Sequence, residues 1–185
     1  GQFCFCRDVT IERTFEHQIW ISANTDALTG LYNRRFFYEY MNENRKENQL
    51  SLLYVDLDDF KKVNDAHGHH IGDGALELVA RLMREAFPGD FIVRLGGDEF
   101  LICLVGERSL AFLEEKANRL LQSLLEAFQV SDYLRVMSAS IGIASSADPG
   151  TKLDDLVRQS DIAMYAAKQS GKSRCCVYSS GLIKK

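Results

Sequence analysis

The sequence predicts an α+β fold: a ferredoxin-like sheet in the order β-α-β-β-α-β, with helices on one face and added helices and strands at the periphery. Three observations lead to it. Segments with helical spacing of apolar residues alternate with short strand-like runs from Thr25 onward. Two of those runs meet at Gly96-Gly97, which marks an antiparallel hairpin inside the alternation. The run Leu50-Ser51-Leu52-Leu53-Tyr54-Val55 is almost continuously apolar, as a central strand buried on both faces must be.

The elements follow in order. Phe3-Cys4-Phe5-Cys6 reads as a short strand, and Asp8 or Thr10 after it can cap a helix. Ile11, Phe15 and Ile19 then recur every four residues among Glu12, Arg13, Glu16 and His17, the pattern of an amphipathic connecting helix that can pair with its copy. Beyond it the patterning predicts a helix over 33–46, a strand over 51–56, a helix over about 72–87 and strands over 91–95 and 100–105. A helix over 109–128, a strand over 134–144, a helix over 153–169 and a strand over 175–178 complete the chain. Residues 1–24 are therefore expected to be the end of an upstream unit and a linker helix, and residues 25–185 one domain.

Composition narrows the class of function. With 185 residues, 46% of them hydrophobic, the chain can bury a real core. No run approaches the ~18 apolar residues of a membrane helix, and no secretory leader pattern opens the chain, so a soluble cytoplasmic location without membrane contact is expected. A formal charge of −4 supplies no basic field for a nucleic-acid backbone. Phosphate recognition must then come from a few placed groups, which favours a small nucleotide over a polymer. Cys4, Cys6, Cys103, Cys175 and Cys176 form no CxxC pair and read as small buried hydrophobes in a reducing compartment. A zinc site joining them to His67, His69 and His70 is disfavoured.

Two places concentrate acids. The central strand runs out into Asp56-Leu57-Asp58-Asp59, and carboxylates crowded on a strand end suit either a solvated turn or a hard cation such as Mg²⁺. The hairpin carries Gly96-Gly97-Asp98-Glu99, which is a polar tip on one reading. If the hairpin lies beside the first strand, it is instead part of a multi-carboxylate metal site that also grips phosphates. Asp73 can be a plain helix cap and Asn64 a turn residue. Lys168 and Lys172 can be a solvated pair complementing a helix C-terminus. Gly171-Lys172-Ser173 mimics the end of a P-loop, but Ala166 stands where the first glycine must be and a helix precedes it, so a P-loop is rejected.

Taken together, these motifs resemble one family. Asp26 to Arg35 (DALTGLYNRR), Asp56 to Asp73 (DLDDFKKVNDAHGHHIGD), Gly96 to Phe100 (GGDEF) and Asp161 to Lys172 (DIAMYAAKQSGK) are similar, in order and spacing, to the motifs of GGDEF-domain diguanylate cyclases over about residues 25–179. The stretch RDVTIER before them resembles the C-terminal edge of a PAS sensor domain.

The resemblance implies a metal-dependent homodimer that condenses two GTP molecules into cyclic di-GMP. It implies Mg²⁺ or Mn²⁺ held by Asp56, the carbonyl of Leu57 and Asp98, with Glu99 as a further ligand or as the group that helps deprotonate the attacking 3′-hydroxyl. It implies guanine recognition by Asn64 and Asp73 with His69 nearby, phosphate contacts from Phe60, Lys61, Lys168 and Lys172, and substrate binding at Gly96 and Gly97. One departure stands out: many members carry Arg-x-x-Asp as an inhibitory product site, and this chain has Phe87-Pro88-Gly89-Asp90, so the arginine is absent. Weak or absent feedback inhibition is expected, because phenylalanine cannot make arginine's bidentate contacts. Arg84, one turn earlier, is a poor substitute.

Two other readings remain. A degenerate domain that binds GTP or cyclic di-GMP as a receptor would usually have lost an acid or a glycine of the hairpin, and here all are present. A related cyclase or polymerase-like enzyme for another base is disfavoured by Asn64 and Asp73.

Overall fold

The computed structural model of the chain describes residues 9–44, 49–146, 148 and 150–184. The expected strand from Phe3 to Cys6, the cap at Asp8, and the side chains of Thr10 and Ile11 lie outside the described residues.

The elements in chain order are α1 (Val9–Asn24), β1 (Tyr32–Asn33), α2 (Arg34–Asn44), β2 (Leu50–Asp58), α3 (Phe60–His67) and α4 (His69–Ala86). They continue with β3 (Phe91–Gly96), β4 (Glu99–Val105), α5 (Leu110–Val130), β5 (Ser138–Ser146), α6 (Leu153–Gln169) and β6 (Arg174–Val177), and a 3₁₀ turn over Ser180–Lys184. The strands form one sheet in the order β1-β3-β4-β2-β5-β6. β2 is antiparallel to both β4 and β5, β3 and β4 form the hairpin, and the short outer strands β1 and β6 run parallel to their neighbours. Without those two outer strands, β3-β4-β2-β5 with α4 and α5 as its crossovers is the expected ferredoxin-like arrangement.

Each face of the sheet has its own core. Leu53, Val55 and Leu57 point to the α4 and α5 side with Leu76, Val79, Met83, Leu120 and Leu124. Leu50, Leu52 and Tyr54 point the other way, toward Phe37 and Met41 of α2 and Leu156 and Met164 of α6. Residues of β2 are therefore buried on both sides along its whole length, as its unbroken apolar run requires. On the second face α6 lies almost directly on β5: a Cβ at Gly142 would stand 1.9 Å from the carbonyl oxygen of Ser160 and 2.1 Å from the nitrogen of Met164. Only glycine allows that approach.

Two expectations are corrected. Residues 60–67 had no predicted element, and they form the two-turn helix α3, whose Phe60 and Val63 are buried three apart. It starts after Asp59 at φ 61° and stops at Gly68 at φ 86°, a conformation that favours glycine. The strand expected from 134 begins only at Ser138, because Leu134 and Met137 are buried within the turn that leaves α5 while Val136 is exposed. Apolar residues there serve a turn rather than a ladder.

At the other end of the chain, α1 is fastened by its last turn. Thr25 donates from its nitrogen and Oγ1 to the carbonyl of Ile21, and Asn33 and Arg35 donate to the carbonyl of Ala23. Trp20 packs edge-on against Phe36, while Phe15 and Ile19 are 62% and 67% exposed.

Candidate active site

The β2 register decides which acids meet. Asp56 is paired across the ladder with Glu99 on one side and Ser140 on the other, and cross-strand partners share a face of the sheet. Asp98 occupies the turn just before Glu99, and its carbonyl accepts from the Leu57 nitrogen at 3.2 Å. The two halves of the predicted carboxylate group, forty residues apart in sequence, thus converge at one end of the sheet on the α6 side. Gly96 and Gly97 make the turn at φ 145° and 54°, with open space where a Cβ would stand, so backbone conformation rather than crowding calls for glycine.

Arg94 braces that turn. Its Nε and Nη2 donate to the carbonyl of Gly97 at 3.1 and 2.8 Å, and its Nη1 reaches Asp26 Oδ1 at 3.1 Å and Oδ2 at 3.2 Å. Asp26 also accepts from the nitrogen and hydroxyl of Thr29. Burial works to raise the Asp26 pKa, but the donors from Thr29 and Arg94 outweigh it and hold the carboxyl below its ordinary value. Neither residue was singled out from the sequence as a support for the hairpin, although Arg94 lies two residues before Gly96.

Asp56 is buried and poorly satisfied. Burial is the main reason its pKa is pushed up to about 6; Lys168 pulls it down, and Asp98 and Glu99 push it up again. The ammonium of Lys168, from the last turn of α6, lies 2.5 Å from Asp56 Oδ1 and is its close charged partner. The carboxylates of Asp56, Asp58 and Asp98 raise the Lys168 pKa against the opposing effect of burial. Among the described residues no three acidic, histidine or cysteine side chains already close on a single point as a metal cage. The donor chemistry nonetheless fits a hard divalent cation: a buried carboxylate, two more acids beside it, and one lysine offsetting part of their charge.

Asp58 and Asp59 are arranged differently. Asp58 is 1% exposed and accepts from Ser138 Oγ at 2.7 Å, from Ser140 Oγ at 2.9 Å, and from the Ser173 nitrogen at 3.3 Å. Asp59 holds two cations, Lys62 at 2.8 Å and Lys172 at 3.0 Å. Lys168 and Lys172, four apart in sequence, therefore answer to different carboxylates. Lys172 and Ser173 follow α6 at φ 60° and 50° in a turn, which agrees with the rejection of a P-loop.

The expected nucleotide-binding residues flank the junction between α3 and α4. Asn64 lies on α3, and its Oδ1 is buried without a partner. It faces Gly72 of α4 so closely that a Cβ there would stand 2.0 Å from it. His69 begins α4 and Asp73 is exposed one turn later, so Asp73 is not the cap of that helix. Phe60 and Lys61 open α3, where the first backbone N–H groups of a helix have no intrahelical acceptor. Phe60 is buried and Lys61 exposed.

Phe87 and Asp90 lie apart from these groups. Phe87 ends α4, is 1% exposed, and has the Lys116 ammonium 5.3 Å from its ring centre. Asp90 is half-buried before β3. Arg84 lines a hollow with Asp90, but its Nη2 already donates to the carbonyl of Thr29 at 2.9 Å.

Comparison with known proteins gives these positions a context. Residues 23–174 match the family described as diguanylate cyclase, GGDEF domain. The chain is 37% identical over 179 residues to the cyclic di-GMP phosphodiesterase PdeR of Escherichia coli (strain K12), covering 95% of this chain and 27% of that protein. It is 33% identical over 183 residues to the diguanylate cyclase DgcM of the same organism, covering 92% of this chain and 42% of DgcM. Among solved structures, the coiled coil and GGDEF domain of DgcB from Caulobacter crescentus, in complex with c-di-GMP, superposes with a TM-score of 0.79. That pair is 27% identical over 91% of this chain and 94% of that one. The chain thus spans only part of the length of the curated relatives that it matches.

Proposed function

The chain belongs to the GGDEF-domain family of diguanylate cyclases, and from that premise we propose that it condenses two molecules of GTP into cyclic di-GMP with release of two pyrophosphates. The observation that carries this reading is the convergence of Asp56, Asp98 and Glu99 at one end of the sheet, with the Lys168 ammonium against the buried Asp56 carboxylate. The hairpin is complete, with both glycines, both acids and the Arg94 brace.

In this reading Asp56, the Leu57 carbonyl, Asp98 and Glu99 hold Mg²⁺ or Mn²⁺. When bound, such a cation lowers the pKa of the 3′-hydroxyl and neutralises charge on the phosphates. The chain's own residues do the rest. Asn64 and Asp73 bind guanine: a carboxylate accepts from N1–H and the exocyclic amine, a pattern that adenine lacks, and the orphaned Asn64 oxygen takes a donor. The nitrogens of Phe60 and Lys61 and the ammonium groups of Lys168 and Lys172 hold the phosphates. Glu99 accepts the proton of the 3′-hydroxyl directly or serves as a further ligand of the cation. As the oxygen bonds to the α-phosphorus of the second GTP, the bond to pyrophosphate breaks, and the step repeats in the opposite sense.

Each subunit supplies one GTP, so turnover requires two copies. Residues 1–24 act as the linker from an upstream PAS-like unit, and the exposed Phe15 and Ile19 of α1 pair the copies. Loss of activity at low protein concentration on deleting residues 1–24 is expected; unchanged activity counts against this role. With GTP as substrate the domain works in the cytoplasm. Product inhibition through Phe87 and Asp90 is weak, since Phe87 is buried and Arg84 is engaged by Thr29.

A second reading is a domain that binds GTP or cyclic di-GMP without turnover and acts as an allosteric module. The 37% identical relative named as a phosphodiesterase favours it. Incubating the chain with GTP and Mg²⁺ at high protein concentration, beside the Asp98→Ala, Glu99→Ala double variant, separates the two. Cyclic di-GMP formed only by the unmodified chain supports the cyclase; GTP binding by a demonstrated dimer without product supports the module.

A further inference from the structure

We infer that Asp59 is an internal competitor of the substrate's terminal phosphates, so that its carboxylate sets nucleotide affinity by occupying Lys172 until a triphosphate displaces it. This rests on the proposed role of Lys172 as a phosphate contact.

Five features of the structure point this way. Lys172 Nζ lies 3.1 Å from Asp59 Oδ1 and 3.0 Å from Oδ2, so the ammonium is held by both oxygens of one carboxylate. Lys62 Nζ, 2.8 Å from Oδ1, completes an arrangement of one anion between two cations from different elements. Asp59 immediately precedes Phe60 and Lys61, whose nitrogens are the other proposed phosphate donors, so the carboxylate sits beside the place a phosphate would take. Finally, the neighbouring Asp58 is fully engaged by Ser138, Ser140 and Ser173, so it fastens the turn without help from Asp59. The Lys172 nitrogen also donates to the carbonyl of Ala167 at 3.2 Å. The backbone of Lys172 is therefore held independently of its side-chain ion pair, and the ammonium is free to change partner.

The alternative physical role is preorganisation, in which Asp59 aims Lys172 at the phosphate. A carboxylate bound through both oxygens works against that, because it takes up most of the ammonium's donors and offsets its charge. Substrate binding then requires the ion pair to open, and removing the carboxylate removes that cost.

The test uses 3′-deoxy-GTP, which lacks the attacking hydroxyl, at saturating Mg²⁺, with affinity measured by titration calorimetry. Asp59→Asn is the variant of choice because asparagine tolerates positive φ, and its melting temperature checks the fold. Exposed ion pairs span about 0.4–1 kcal/mol in their upper range, so Asp59→Asn is expected to bind 3′-deoxy-GTP about two- to fivefold more tightly. GMP, which lacks the terminal phosphates, is expected to bind equally to both proteins. The gain is expected to vanish in a Lys172→Ala background, where Asp59 has nothing to withhold. Weaker or unchanged 3′-deoxy-GTP binding by a folded Asp59→Asn, or a gain that persists without Lys172, overturns the inference while leaving the cyclase reading intact. Failure of the unmodified chain to bind either nucleotide overturns both.

Discussion

Asp56 and Asp58 sit two residues apart on one face of the same strand, both nearly out of contact with water, and their surroundings could hardly differ more. Ser140 stands directly opposite Asp56 in the ladder, yet it turns its hydroxyl diagonally to Asp58, which Ser138 and the Ser173 nitrogen also serve. Asp56 is left with one close ammonium and two more acids nearby. A buried carboxylate whose lone pairs are filled by the protein ties elements together. One served by a single ammonium among other acids is costly to the apo protein and has capacity for a ligand. The amide oxygen of Asn64, buried without a partner, likewise has capacity for a ligand, and it lies in the other half of the proposed site.

The sharpest way to break this contrast is to neutralise each aspartate in turn. Asp56→Asn is expected to lower turnover by about 10³-fold, as loss of a group that stabilises charge in the transition state does, with little change in the fold. Asp58→Asn is expected to cost about 2–4 kcal/mol of unfolding free energy, since it weakens three hydrogen bonds to a charged acceptor. Denaturant titrations that show Asp58→Asn as stable as the unmodified chain would remove the distinction.

pH sharpens it further. The folded-state pKa of Asp56 is raised from 3.8 to about 6, so burial favours the protonated folded form. Its contribution to stability is therefore fully present below pH 3.8 and is lost as pH rises through about 6, a change of up to about 3 kcal/mol. Without divalent cation, Asp56→Asn is expected to be more stable than the unmodified chain at pH 8, with the difference closing near pH 4. Added Mg²⁺ is expected to raise the melting temperature of the unmodified chain at pH 8 and to leave that of Asp56→Asn nearly unchanged. The smallest effect concerns Asn64. Gly72→Ala puts a methyl group 2.0 Å from its present Oδ1 position and displaces the amide. GTP affinity is expected to fall about tenfold, the scale of one lost hydrogen bond to a buried group, with the melting temperature within a few degrees of the original.

Much of this was readable in the sequence, for reasons of physical scale. The sheet order followed from strong local signals: a doubly buried strand over 50–55, a glycine pair at a hairpin, and helical periods of more than a dozen residues. Helix α3 was not readable, because two turns beginning at the positive φ of Asp59 and ending at Gly68 carry too little periodicity to register. The site was readable as a set of residue types and not as a network. Nothing in DLDD distinguishes the aspartate held by three donors from the one beside a single ammonium, since Ser138, Ser140 and Ser173 lie at least eighty residues away in the chain. Arg94 was visible beside the hairpin, but its partner Asp26 is 68 residues distant.

The contact between Gly142 and α6 has a mechanical consequence. Most helices rest on a sheet through a layer of side chains, which gives under load by small changes of rotamer; here the backbones of β5 and α6 touch, and no such layer exists at that point. The seam should be among the least compressible parts of the molecule. Lys168, on the last turn of the same helix, is thus carried on a stiff mount.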